Sequence, residues 1–372
     1  MTKPKENPAK ISKEGPVKKS KLERYVVRKP MIVFNDGTGF KEAIPQIKPP
    51  TWSAVNTGPL VPMSPSLVPE CTEITEYGFI TGDMEQGTIT DSIRPHKHDN
   101  HDEVFFFIGT DHRNLTDLGG EIEFWLGEGE DLDKVILDTS SAVWVPRGVA
   151  HFPQFFRNVK RAIITICVHI NTDKRYVERV DPKGRPTFES AGKVKGGDGK
   201  HSKWEKYVVR KPMIMFNDGT GVKEAIPQVT PIPVWSPVDT GPLVMMNPTF
   251  VPGSPVMIEY GYLSGDLQHG TSTDRIKPHK HDDYDETFFF LGTDPRDVSD
   301  LGGEVEFWLG EGEDLTKIVL DSSGAVFMPK GVAHFPLYVR NVKRPIFHMV
   351  IMSNIVERKI HRIDPKGRPT YD

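Results

Sequence analysis

The stretch Pro95–Glu103 reads PHKHDNHDE, and a near copy, PHKHDDYDE, returns at Pro278–Glu286. Each copy offers a His-x-His pair and a carboxylate that follows within a few residues. A Pro-x-Gly-x-x-His-Phe-Pro segment comes after each copy, at Pro146–Pro153 and at Pro329–Pro336. This repeat predicts two copies of one fold, each with a metal site.

The repeat extends over most of the chain. The sequence YVVRKPMI at 25–32 returns at 207–214, and DPKGRP at 181–186 returns at 364–369. A repeat of this length indicates a duplicated domain rather than a solenoid of short units. We therefore predict an arm at residues 1–21, a first domain at 22–190, a linker at 191–203 and a second domain at 204–372.

The composition favours a protein that binds a small molecule. The formal net charge is −4 and the two signs are interspersed, so neither nucleic acid nor a membrane surface is an expected partner. Cys71 and Cys167 have Ser254 and Val350 as counterparts, which excludes a repeated disulfide framework. No apolar run approaches the roughly 20 residues of a membrane span, and the Lys-rich N-terminus does not look like a secretory signal. We expect a cytoplasmic protein.

The two segments outside the predicted domains differ in composition. The arm has no hydrophobic period, so it cannot repay its ordering entropy by burial. This favours a disordered arm over one that packs on a partner subunit, and a homo-oligomer stays an open alternative. The linker is rich in Gly and Lys, which predicts flexibility.

Strand signals dominate each half. Short runs rich in Val, Ile, Phe and Trp are bounded by Gly, Pro, Asp or Asn, a pattern typical of β-strands. In the first half these runs lie at 74–80, 104–108, 121–126, 142–145 and 162–170. No amphipathic helix of convincing length appears. The pattern predicts an all-β fold with one sandwich or barrel of jelly-roll type in each half.

Strand geometry predicts which side chains meet at each site. Residues i and i+2 of a strand point the same way, so His96 and His98 face the interior together. Asp99–Asn100 is turn chemistry that breaks the strand, which lets Glu103 rejoin the histidines. The Pro-x-Gly turn before His151 brings a later strand back against the first.

The full set favours a metal over the solvated turn that a single His-x-His usually indicates. The predicted ligands are His96, His98, Glu103 and His151 in the first half and His279, His281, Glu286 and His334 in the second. Three imidazoles and one carboxylate suit Mn, Fe, Ni or Zn and leave coordination positions open. We expect up to one divalent transition metal per domain, with Fe or Mn preferred. Fe would favour oxygen chemistry, and Mn would permit decarboxylation or isomerisation.

These motifs resemble those of the cupin superfamily, and the tandem copies resemble a bicupin with two germin-like barrels. The resemblance covers nearly all of residues 22–372. The first family motif is His-x-His, three or four residues, Glu and then Gly, and the second is Pro-x-Gly-x-x-His. All eight predicted ligands match the metal ligands of these motifs. The resemblance implies two tandem β-barrels of the double-stranded β-helix, or jelly-roll, type.

The chain departs from the family pattern at turns and pocket walls rather than at the ligands. Thr90 and Thr273 stand where Gly is frequent, Gly109 and Gly292 come one residue early, and Phe155 and Tyr338 replace the usual Asn. These departures leave the subfamily open.

Other polar residues are weaker candidates for catalytic groups. Arg94 and Lys277 lie two residues before the first ligand histidine of each half, so on a continuous strand they would point to the same side. There they would give a cation for an anionic substrate. Each precedes a proline, which favours an exposed position at the rim instead. His101, replaced by Tyr284 in the second half, is predicted to be a turn residue, and the alternative is a proton donor for either site.

A few interior positions differ between the halves. Trp144 corresponds to Phe327, and Gln154 corresponds to Leu337. Such differences are expected if the two pockets differ, although core packing explains Trp144 equally well.

The leading hypothesis is a metal-dependent enzyme that acts on a small oxygenated substrate. A carboxylate, an enol or a phenol would undergo oxygenative cleavage or decarboxylation. One alternative is a bicupin that binds a ligand or has a structural role without turnover, since a fold does not determine function. Another is a metal-dependent isomerase.

Overall fold

The computed structural model describes residues 20–35, 40–45, 54–88, 93–187, 202–217, 222–227, 237–270, 277–355, 359–364 and 366–368. Within these ranges β-strands dominate, and the helices are short 3₁₀ segments at Lys21–Tyr25, Gly129–Asp131, Lys203–Tyr207 and Gly312–Asp314. The predicted all-β fold is confirmed. Most of the predicted arm (1–19) and linker (191–201) lies outside the described residues, and the domain boundaries stay a prediction.

Among its described residues, the first half contributes fourteen strands. They are β1 (Val26–Arg28), β2 (Met31–Asn35), β3 (Phe40–Pro45), β4 (Leu60–Met63), β5 (Glu73–Ile80), β6 (Met84–Gln86), β7 (His96–Lys97), β8 (Asp102–Gly109), β9 (Asp117–Leu126), β10 (Asp133–Thr139), β11 (Ser141–Val145), β12 (His151–Arg157), β13 (Ile163–Ile170) and β14 (Glu178–Arg179).

The second half repeats the series. Its strands are β15 (Val208–Arg210), β16 (Met213–Asn217), β17 (Val222–Pro227), β18 (Leu243–Met246), β19 (Val256–Leu263), β20 (Leu267–His269), β21 (His279–Lys280), β22 (Glu286–Gly292), β23 (Asp300–Leu309), β24 (Thr316–Ser322), β25 (Gly324–Met328), β26 (His334–Arg340), β27 (Ile346–Ser353) and β28 (His361–Arg362). Among the described residues, none of the helices is long and apolar enough to cross a membrane.

Each half forms a smaller and a larger antiparallel sheet. In the first half the six-stranded sheet has the order β10-β9-β12-β7-β14, with β6 also paired to β12, and the eight-stranded sheet has the order β15-β11-β8-β13-β5-β4-β2-β3. The second half has the matching orders β24-β23-β26-β21-β28, with β20 paired to β26, and β1-β25-β22-β27-β19-β18-β16-β17.

The first strand of each half completes the large sheet of the other half. β1 pairs with β25, and β15 pairs with β11. Asn171 and Asn354, which are equivalent positions of the repeat, exchange side-chain hydrogen bonds of 2.8 and 2.9 Å. Because each residue contacts its own equivalent, the two halves are related by a local twofold axis.

The cores follow from strands that are apolar on both faces. Phe105 and Phe107 on β8 point into the first barrel and pack with Phe124. Phe106, between them, points the other way into a core shared by the two large sheets, where Phe289 of the second half also lies. A strand buried on both sides reads as a continuous apolar run, as this one does.

A buried carboxyl lies between the two halves at Glu73 on β5. It is 3% exposed, and the Ser353 hydroxyl donates a 2.9 Å hydrogen bond to its Oε2. Burial raises the pKa of Glu73 to about 7, while hydrogen bonds from Thr287 and Ser353 limit this rise. Val256 occupies the equivalent position of the second half.

We expect Glu73→Gln to stabilise the protein at pH 8 by about 3 kcal/mol and to have little effect near pH 4.5. A raised carboxyl pKa means that the folded state keeps its proton up to about pH 7. The wild type therefore loses stability as pH rises from about 4.5 through 7, and Gln does not titrate. Denaturant unfolding of both proteins across this pH range measures the difference.

Glu76→Gln on the same strand is the control. Burial opposes ionisation of Glu76, but Arg175, whose Nη1 lies 3.0 Å from both carboxylate oxygens, holds its pKa below the usual range. This substitution should destabilise the protein at pH 8. Parallel stability–pH curves for wild type and Glu73→Gln would contradict the prediction.

Candidate metal centres

Two motifs meet because β7 pairs with β12. This pairing places His96 directly opposite His151. The backbone N–H of Gly148, in the Pro-x-Gly turn, donates a 2.7 Å hydrogen bond to the carbonyl of His98. The turn residues thus attach the second motif to the first, and Glu103 enters from the start of β8.

The ligand atoms of the first centre converge inside the barrel. The Nε2 atoms of His98 and His151 lie 3.1 and 3.0 Å from the two carboxylate oxygens of Glu103. The ring centroid of His96 is 4.9 Å from that of His98 and 4.4 Å from that of His151. All four side chains are at most 5% exposed.

The second centre has the same geometry. The Nε2 atoms of His281 and His334 lie 3.2 Å from the two oxygens of Glu286. The ring centroid of His279 is 4.9 Å from that of His281 and 4.4 Å from that of His334. Each of the two three-histidine sets forms a buried group that could hold a metal ion.

Four of the converging nitrogen atoms have no hydrogen-bond partner within the described part of the chain, although each lies close to a carboxylate oxygen. This applies to the buried Nε2 atoms of His98, His151, His281 and His334. Buried polar atoms are normally hydrogen-bonded, and leaving one unpaired costs about 1–3 kcal/mol. The lone pairs of these nitrogen atoms point to one position beside a carboxylate. This arrangement fits a divalent transition metal.

The other ring nitrogen of each histidine lies against a backbone carbonyl. The acceptors for Nδ1 are the carbonyl oxygens of Arg94, Tyr176 and Val149 in the first centre and of Lys277, Lys359 and Val332 in the second. A carbonyl accepts a hydrogen bond from Nδ1–H, so this tautomer leaves the Nε2 lone pair directed at the centre.

Electrostatics favour the protonation states that bind metals. Burial lowers the pKa of His151 and of His334 to about 4. Burial, helped by the neighbouring imidazoles, lowers the pKa of His96 and of His279 well below the usual value. Burial opposes ionisation of Glu103, but the surrounding histidines outweigh it and hold the pKa of that carboxyl well below its usual range. Neutral imidazoles and an ionised carboxylate are the forms that coordinate a metal.

Two solved structures are similar over most of both chains. One is an oxalate decarboxylase studied for its substrate binding mode and a reaction specificity switch, with 11% identity, a TM-score of 0.50 and coverage of 95% of this chain and 89% of that chain. The other is the oxalate decarboxylase from Bacillus subtilis at pH 4.6, with 11% identity, a TM-score of 0.50 and coverage of 96% and 90%. The chain has the bicupin fold. No protein-family model matches the sequence, and no curated protein matches it.

The first barrel has two further histidines at its centre. His169 on β13 is the register partner of Glu103, and its Nδ1 lies 2.8 Å from Glu103 Oε1. The Nε2 of His101 lies 3.0 Å from the same nitrogen of His169. The sequence did not identify His169 as part of the site. Its only signal was a His within a predicted strand, and that strand's neighbour was unknown.

His169 positions the carboxylate of Glu103. Burial disfavours a charged imidazole, but Cys167 and Glu103 outweigh it and raise the pKa of His169 well above its usual value. The Nδ1–H of His169 therefore donates to Oε1 of Glu103. Oε2, which has no hydrogen-bond partner among the described residues, is left for the centre. An outer hydrogen bond of this kind orients a metal ligand.

The second barrel lacks both of these histidines. Met352 is the register partner of Glu286, and Tyr284 takes the place of His101. The Tyr284 hydroxyl lies 2.7 Å from Nδ1 of His281. The two centres thus share the predicted ligands and differ in the groups that surround them.

An arginine from the DPKGRP repeat fixes the backbone beside each centre. Arg185 donates hydrogen bonds to the carbonyls of Phe152 and Gly127, and Arg368 does the same in the second barrel. Phe152, directly after His151, has a φ of 75°, a region unfavourable for a bulky residue. The arginine holds this conformation next to the ligand, a role that the sequence did not reveal.

Arg94 and Lys277, the weaker catalytic candidates, have exposed side chains. Both have a φ of 51°, and their carbonyls accept from His96 and His279. Exposure agrees with the rim position that the prolines favoured. A catalytic role for either side chain, or for His101 and Tyr284, stays a prediction.

We expect His169→Met, which copies the second barrel, to weaken Mn²⁺ binding at the first centre by about 10- to 100-fold. The substitution removes the hydrogen bond that orients Glu103 and leaves the second centre intact. Calorimetric titration of the metal-free protein with Mn²⁺ should then resolve one weakened and one unchanged site. Met352→Leu is the control and should leave both affinities unchanged, and equal affinities in wild type and His169→Met would contradict the role of His169.

Proposed function

We propose that this bicupin is a metal-dependent enzyme that decarboxylates a small carboxylic acid. The observation that carries the proposal is the convergence on a carboxylate, in each barrel, of buried imidazole nitrogens that have no hydrogen-bond partner among the described residues. Eight inward-directed polar side chains are costly to bury, and a structural role does not require them. This favours catalysis over a ligand-binding or scaffolding bicupin.

The predicted ligands would hold the metal, and the chain's aromatic side chains would enclose it. When bound, the metal supplies a Lewis acid that polarises a substrate oxygen. In the first barrel the rings of Phe105 and Phe152 lie 5.7 and 5.0 Å from the ring of His151. These apolar walls exclude water, which strengthens electrostatic interactions with an anionic substrate.

The proposed reaction needs no oxidant. The carbon–carbon bond to one carboxyl group breaks, carbon dioxide leaves, and the electron pair stays on the remaining carbon, which takes a proton from water. Of the two preferred metals, Fe and Mn, it is Mn that suits this redox-neutral chemistry. The similar structures are oxalate decarboxylases, which supports decarboxylation ahead of oxygenative cleavage or isomerisation. A small-molecule substrate, a cytoplasmic location and a homo-oligomer stay predictions.

Turnover by the Mn-loaded protein tests the proposal. The test compounds are oxalate and a panel of small 2-oxo and dicarboxylic acids. We expect the protein to release carbon dioxide from at least one of them without stoichiometric consumption of oxygen. We expect the double variant His96→Ala, His279→Ala to lose at least about 1,000-fold in rate, because it lacks the Lewis acid that supplies several kcal/mol.

The single variants His96→Ala and His279→Ala show which barrel turns over. Consumption of oxygen in proportion to product would indicate oxygenative cleavage and would contradict decarboxylation. Full metal loading without turnover of any acid in the panel would contradict the proposal.

A further inference from the structure

Gln154 lies on the same face of β12 as His151. On the neighbouring strand β9, His151 is opposite Leu126 and Gln154 is opposite Phe124. These two partners are two residues apart, so they point to the same side of the sheet, and residues directly opposite in an antiparallel pair share a face. Gln154 therefore points into the first barrel, next along the wall from the metal centre.

Gln154 has an aromatic neighbour on one side and a polar one on the other, because its register partners are Phe124 on β9 and Gln86 on β6. The ring of Phe124 packs 5.1 Å from that of Phe105 and 6.0 Å from that of Phe152. These are the rings that also contact His151. On the β9 side of the amide, an apolar wall therefore continues to the centre.

The amide has an unused donor in this apolar wall. Gln154 is 3% exposed, and its Nε2 has no hydrogen-bond partner in the described ranges of the chain. An unpaired buried donor costs about 1–3 kcal/mol, which a leucine would avoid. The second barrel has that leucine, Leu337, opposite Phe307 at the equivalent position. Packing alone does not require a glutamine here.

We propose that the Gln154 amide forms an oxygen-binding subsite of the first barrel. Its Nε2–H would donate to one oxygen of a small carboxylate whose other oxygen reaches the metal centre. The amide adds no charge, so it suits an anion without needing a counter-ion in the apolar wall. The subsite makes the first barrel the tighter carboxylate site. This inference rests on the proposed function for its ligand class, a small carboxylic acid.

Oxalate binding to Mn-loaded protein tests the subsite separately from turnover. The His279→Ala background leaves metal in the first barrel alone, and calorimetry with the Mn(II) electron paramagnetic resonance signal then reports that site. We expect Gln154→Leu to weaken oxalate binding about 5- to 10-fold, as for one lost hydrogen bond, with unchanged metal content.

Gln154→Glu separates the donor from side-chain size. It keeps the length but replaces the donor by a carboxylate, so it should weaken oxalate binding at least as much as Gln154→Leu. Retained binding by Gln154→Glu would show that the ligand donates to this side chain, which would overturn the proposal.

The reciprocal change Leu337→Gln, in the His96→Ala background, is the matched control. It should tighten oxalate binding at the second barrel. Equal affinity of wild-type and Gln154→Leu first barrels would overturn the subsite, as would the absence of oxalate binding to the wild type. Weakened binding by Gln154→Leu in a protein without carbon dioxide release would instead uphold the subsite and reject decarboxylation.

Discussion

The antiparallel pairing of β7 with β12, and of β21 with β26, is the contact on which both centres depend. It sets His96 opposite His151 and His279 opposite His334. The glycine of each Pro-x-Gly segment donates a backbone hydrogen bond to the carbonyl of the second histidine of the His-x-His pair, 2.7 Å at His98 and 2.6 Å at His281. With these segments fixed, the Nε2 lone pairs converge in a buried interior, where a divalent cation would satisfy them.

Local sequence patterns predicted those features of the site that depend on one or two short segments. Period-two spacing put the His-x-His pair on one face, and turn residues allowed Glu103 to return to it. The position of His169 beside Glu103 depends on the pairing of β8 with β13, and the wall position of Gln154 depends on a bulge between β9 and β12. Local periodicity predicts neither of these strand pairings. The exchange of first strands between the halves was missed for the same reason.

The two barrels have kept the inner ligands and diverged around them. In the first, His169 and His101 lie beside Glu103, and the Nε2 of Gln154 has no hydrogen-bond partner among the residues that the structure describes. In the second, Met352, Tyr284 and Leu337 occupy these places. If both centres bind metal as proposed, the additional polar groups of the first barrel are the ones that would contact a carboxylate substrate.

Metal content measures the central claim most directly. Elemental analysis of untagged protein loaded with Mn²⁺ and freed of excess metal should give about two ions per chain, since each barrel offers one complete ligand set. We predict about one ion in His96→Ala and in His279→Ala, and none in the double variant. Wild-type protein that retains no metal under any loading condition, or single variants that retain as much as the wild type, would contradict the account.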